Sequence, residues 1–178
     1  MSSQRVQYGY CSFVPPAGFV IQDKASFVGS DSAKGAVLSD GRKSPLCITL
    51  SSTTVHPHVP DFSQSPEDMN PDAYTVTLTL NTFVAHFAAS ALDYLRNAGE
   101  ELEKHFTDFQ TDFCREDAVG EFPAARSQSS YLTNFRIFQL QFAWLANAVL
   151  VTTTMTVPES GLEKGWTDLR NFVESVTI

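Results

Sequence analysis

Little in this chain points to chemistry. It has only three cysteines, Cys11, Cys47 and Cys114, odd in number and widely spaced. That argues against a secreted disulfide framework, and no CxxC pair suggests a structural metal. They read as free thiols in a reducing compartment. Positive charge is also scarce: 12 Lys and Arg against 20 Asp and Glu give a formal net charge of −8. A phosphate backbone or an anionic bilayer needs clustered cations, so nucleic acid is not expected as a partner. No segment has the ~20 apolar residues of a membrane helix, so no stable membrane insertion is expected. The first residues carry no apolar h-region, lipidation box or cleavage site, and a cytoplasmic protein is expected.

Catalytic patterns are missing too. His56 and His58, with Asp61 nearby, supply half of a zinc site that needs three or four converging ligands. His86 and Ser90 share one side of an expected helix with Asp93 a turn further on, but no elbow motif presents the serine. Cys114 lies among Asp112, Glu116 and Asp117, whose charges would raise its pKa, with Arg115 offsetting them only in part. The stretch 29–35 lacks the GxxxxGK[ST] phosphate loop. No carboxylate pair has surroundings that would split its pKa values for acid–base work. A non-enzymatic chain with no cofactor and no metal is expected.

What is present is apolar and patterned. The chain is 43% hydrophobic with 14 Phe, enough to build the core of one domain spanning 1–178. Acidic residues concentrate between Asp93 and Glu121, read as a solvated surface. Residues 8–14 alternate in part and run through Pro15-Pro16 into a short strand at 19–22. The stretches 36–39 and 46–51, with Asp40-Gly41 between, read as a hairpin. Four prolines at 57, 60, 66 and 71 mark 55–70 as a long loop. Asn70-Pro71-Asp72 offers a helix start, yet 74–80 alternates like a strand, and both readings stand. A helix is expected over 82–98, capped near Gly99, then strands at 106–113 and from about 120 to 132.

The most informative stretch is 134–176. Residues 134–145 alternate with Phe138, Leu140, Phe142 and Trp144 on one side, and 148–157 is β-branched. A turn at Ala146-Asn147 places Trp144 opposite Val149, Phe142 opposite Val151, Gln141 beside Thr152 and Gln139 beside Thr154. One face is then core and the other an amide and hydroxyl ladder. Ser160 and Glu163 read as a capping box. Leu162, Trp166, Leu169, Phe172, Val173 and Val176 then form the apolar stripe of a core-packing helix. Strands with segregated helices define an α+β class: an antiparallel sheet of about six or more strands with helices packed on it.

The order of landmarks resembles the DcrB-related (DUF1795) branch of the Mog1/PsbP-like fold. These landmarks are 13–19 (FVPPAGF), Ile48-Thr49-Leu50, a central helix, 120–126 (GEFPAAR), Gln139-Leu140-Gln141 with 149–153, and a final amphipathic helix. The resemblance implies a twisted antiparallel sheet and a non-enzymatic binding protein. Within that branch the Eag-type proteins are chaperones that shield apolar segments of type VI secretion effectors. It thus implies a protein partner with apolar helices, held on a face made by Phe135, Ile137, Gln139, Gln141, Leu150, Thr152 and Thr154. A homodimer is left open. Two other readings are carried: a small apolar-ligand carrier with a pocket under the 55–70 loop, and a structural subunit of a PsbP-like complex.

Overall fold

The computed structural model describes residues 4–22, 46–52, 76–84, 90–133, 135–147 and 149–178. A short ribbon, β1 (Val6–Tyr8) and β2 (Cys11–Phe13), reverses at Gly9 (φ 58°), so the expected single run over 8–14 is two strands. The main sheet contains β3 (Phe19–Gln22), β4 (Leu46–Ser52), β5 (Thr77–Val84), β6 (Gln110–Val119), β7 (Phe122–Leu132), β8 (Arg136–Ala146) and β9 (Val149–Pro158). Its order is β3-β4-β5-β9-β8-β7-β6, and every pairing is antiparallel. Among the described residues two helices, α1 (Ala91–Glu103) and α2 (Leu162–Ser175), complete the α+β architecture.

Alternation, broken once by a bulge in β6 between Thr111 and Phe113, sorts the sheet into two faces. The first carries Leu46, Ile48, Leu50, Leu78, Leu80, Leu140, Phe142, Trp144, Val151, Met155 and Val157, all buried. α2 covers it with Leu169, Phe172 and Val173, each worth roughly 1.5–3 kcal/mol in burial. Helix and sheet approach closely at Gly165, where an added Cβ would lie 3.0 Å from both Leu140 Cδ1 and Val157 Cγ1. The β1–β2 ribbon closes the same core. Phe13 meets Phe172 edge-on at 5.4 Å, and Ser12 exchanges backbone hydrogen bonds with Thr177 at 2.9 and 2.8 Å.

Several local expectations change. In the β8–β9 hairpin Ala146 pairs with Val149, so the turn sits one residue later than expected, with Asn147 at φ 51°. The register therefore shifts by two: Trp144 faces Val151, Phe142 faces Thr153, Gln141 faces Thr154 and Gln139 faces Thr156. A shift of two keeps every side chain on its face. Residues 77–84 are a strand, so Thr82 and Phe83 pair with β9 instead of opening a helix. α1 begins after Ser90, whose hydroxyl accepts from the Asp93 N–H, and it runs past Gly99 to Glu103. β6 starts at Gln110, not 106, because Asp108 takes φ 51° in the turn before it. The Ser160–Glu163 box is not the start of α2: a 3-10 turn at Glu159–Gly161 precedes it, and Gly161 is the N-cap. The expected hairpin partner 36–41, the 55–70 loop and the 70–72 helix start lie outside the described residues.

Candidate functional site

The second face of the sheet carries two largely polar rows beside an apolar patch under α1. One row runs in register through Gln22, Thr49, Thr79, Thr154, Gln141 and Ser127 to Cys114, one residue from each of the seven strands. The adjacent row is Val20, Ser51, Thr77, Thr156, Gln139, Ser129 and Thr111. Side-chain bonds link the first row. The Ser127 hydroxyl donates to Gln141 Oε1 at 3.1 Å, Gln141 Nε2 donates to Thr154 Oγ1 at 3.3 Å, and Thr79 Oγ1 reaches the Thr154 carbonyl at 3.4 Å. The short ladder expected on β8 and β9 is thus the middle of a seven-strand feature. Its extension was written in the alternation of Thr49/Ser51, Thr77/Thr79 and Ser127/Ser129.

α1 roofs one end of this face. Ala91 and Leu95 pack on Ala125, Ala143 and Leu150, and the Tyr94 hydroxyl hydrogen-bonds Thr152. Burial raises the Tyr94 pKa, and the bond to Thr152 offsets part of that rise. Leu150 and Thr152 are consequently buried and do not form an open surface, and Ile137 is buried as well. Gln139, Gln141 and Thr154 are half-buried in the middle of the face. Phe135 precedes β8 instead of lying in it, its carbonyl accepting from Thr133. Of the seven residues expected to hold a partner, Gln139, Gln141 and Thr154 form the accessible centre.

The two rows carry hydrogen-bonding capacity without charge. Thr49 Oγ1, Ser129 Oγ and Gln139 Oε1 are buried and have no hydrogen-bond partner among the described residues. Buried hydroxyls and amides left unpaired cost about 1–3 kcal/mol each, so they favour an arriving polar group. Such a surface can meet both the small polar groups and the aliphatic body of an apolar helix.

The other candidates divide. Ser90 and Asp93 form the cap of α1, with the hydroxyl donating to Asp93 Oδ2 at 2.8 Å; His86 lies outside the described residues, as do His56, His58, Asp61 and the 29–35 stretch. The Cys114 thiol is raised by burial beneath α1, with Arg96 offsetting it, not by the neighbouring carboxylates. Among the described residues no three His, Cys, Asp or Glu side chains converge as metal ligands, and no helix is long and apolar enough to cross a membrane.

No protein-family model and no curated protein matches the chain. Solved structures do. The Ran-binding protein Mog1p of Saccharomyces cerevisiae aligns over 100% of this chain and 96% of its own, with a TM-score of 0.61 and 12% identity. The cyanobacterial PsbP of Synechocystis aligns over 100% and 94%, with a TM-score of 0.60 and 8% identity. LpqN of Mycobacterium tuberculosis, involved in cell envelope biogenesis, aligns over 94% and 82%, at 0.56 and 13%. At such identities the likeness concerns the fold, which is Mog1/PsbP-like.

Proposed function

We propose that this chain is a non-enzymatic protein-binding module of the cytoplasm, a chaperone or adaptor of the DcrB-related (DUF1795) kind. It shields an apolar helical segment of a partner, such as a secretion effector, on the second face of its sheet. The observation that carries this reading is the pair of polar rows across the sheet, with Gln141 and Thr154 at the centre of one and Gln139 beside them in the next, all three half-buried. An extended array of neutral donors and acceptors has no use in acid–base chemistry, whereas it suits a helix bearing Gly, Ala, Ser and Thr among its aliphatic residues. That Mog1p is a Ran-binding protein supports the use of this fold for protein recognition.

The test is direct binding of a fluorescein-labelled helical peptide of Leu, Ala, Gly and Ser, about 20 residues long. The wild-type chain is expected to bind it. The double variant Gln139→Leu with Thr154→Leu is expected to keep its melting temperature and change the dissociation constant about tenfold, the equivalent of ~1.4 kcal/mol. No binding by the wild type would refute the reading, and unfolding of the variant would assign these side chains to the interior. A gene neighbour encoding a large protein with an apolar N-terminal stretch is the expected genomic context.

A further inference from the structure

On the opposite face, where Trp166 and Arg170 of α2 reach β6, three arginines gather on aromatic rings. Arg115 lies 4.7 Å over Phe113, Arg126 lies 5.5 Å over Trp166 and 5.9 Å over Phe113, and the rings of Phe113 and Trp166 stack at 5.8 Å. Arg170 is spent: it binds Asp117 and the Ala118 carbonyl, with Glu174 3.8 Å away. Arg126 is half-spent. Its Nε sits 3.0 Å from Asp117 Oδ2, yet it is buried and misaligned for a hydrogen bond. Arg115 is exposed and makes no side-chain hydrogen bond or ion pair with any described residue.

We propose that Arg115 and Arg126, placed over Phe113 and Trp166, bind a carboxylate of an acidic partner segment lying along the β6 edge. Charge complementarity carries this. Three arginines meet here against Asp117 and Glu174, and Arg115 has no ion-pair partner among the described residues. Planar guanidinium forks match planar carboxylates in paired hydrogen bonds, and the neighbouring rings restrict where the two guanidinium groups can go. Burial and the charges of Arg115 and Arg170 push the Arg126 guanidinium down, with Asp117 only partly opposing them, so a further anion relieves the crowding. β6 is the last strand of the sheet among the described residues, so an extended segment has a strand edge to follow. The site lies across the sheet from the polar rows, and the two proposals fail separately.

The experiment titrates a fluorescein-labelled peptide of glutamates, about eight long, into the full chain at low salt, where screening is weak. Binding is expected, weakening about tenfold in Arg115→Gln, as the loss of charge-assisted bonds predicts. Lys104→Gln, on an exposed lysine paired with Glu101 on α1, is expected to bind like the wild type. Inorganic phosphate is expected not to displace the peptide at comparable concentration. No binding would overturn the proposal. So would equal losses in both variants, which would mean overall charge alone acts. Ready displacement by phosphate would overturn it in favour of an unselective anion site.

Discussion

Asp117 is clasped by Arg170: Nη2 lies 2.9 Å from both carboxylate oxygens while Nη1 reaches the Ala118 carbonyl at 2.9 Å. The clasp ties α2 to the sheet's edge strand. Burial alone pushes the Asp117 carboxyl upward. The Arg170 bond, the Ala118 N–H and the charges of Arg170 and Arg126 outweigh it and hold the group below its usual range. A depressed carboxylate stabilises the fold above its unfolded pKa, ~3.9, and that contribution fades as pH falls through the lower folded value. Asp117→Asn is therefore expected to cost about 1–3 kcal/mol at neutral pH. In urea melts its gap from wild type should close below about pH 4. An unchanged midpoint at pH 7 would deny the clasp any role.

Gly165 permits the close approach of α2 to Leu140 and Val157, both rigidly placed in the core. A branched side chain there has to push the helix off the sheet. Gly165→Val is expected to destabilise by about 1–3 kcal/mol, measured by denaturant midpoint. Wild-type stability in that variant would show that the helix has room to move.

Thr153 is fully buried on the apolar face, in register with Phe142 and Leu80, and its hydroxyl has no partner among the described residues. Thr153→Val keeps the shape and removes the unpaired group. A gain of about 1 kcal/mol is expected, visible as a raised melting temperature. A loss instead would mean that the hydroxyl is satisfied in solution.

Ser90 starts α1, and its cap bond holds the first turn. Ser90→Ala is expected to cost about 1 kcal/mol. Hydrogen exchange should speed up first at the amides of Ala91 to Leu95, where α1 covers Leu150. Uniform protection along α1 in the variant would contradict this.

The apolar faces were legible because they repeat: the even residues of β8 and the stripe from Leu162 to Val173 each declare one buried side. The hairpin register was off by two because Asn147, not Ala146, opens the turn, and the period of two cannot distinguish these. The start of α1 lies at the Ser90–Asp93 cap, whose acidic member is Asp and not the usual Glu, while the apolar spacing from Phe83 onward reads as helix too. Burial of Leu150 and Thr152 was beyond reach of pattern reading, since it depends on where α1 folds back. The arginine cluster joins residues 115, 126 and 170 from three elements, and only tertiary structure brings them together.

β9 occupies the middle of the sheet, between β8, its neighbour in sequence, and β5, whose Thr79 meets Thr154 across 75 residues. During synthesis β3, β4 and β5 emerge first and must wait for the strand that buries them. The β6-to-β9 meander, joined by short turns, can assemble from nearby contacts alone. The first strands are thus the last to gain shelter, and a stalled ribosome would leave their apolar side bare.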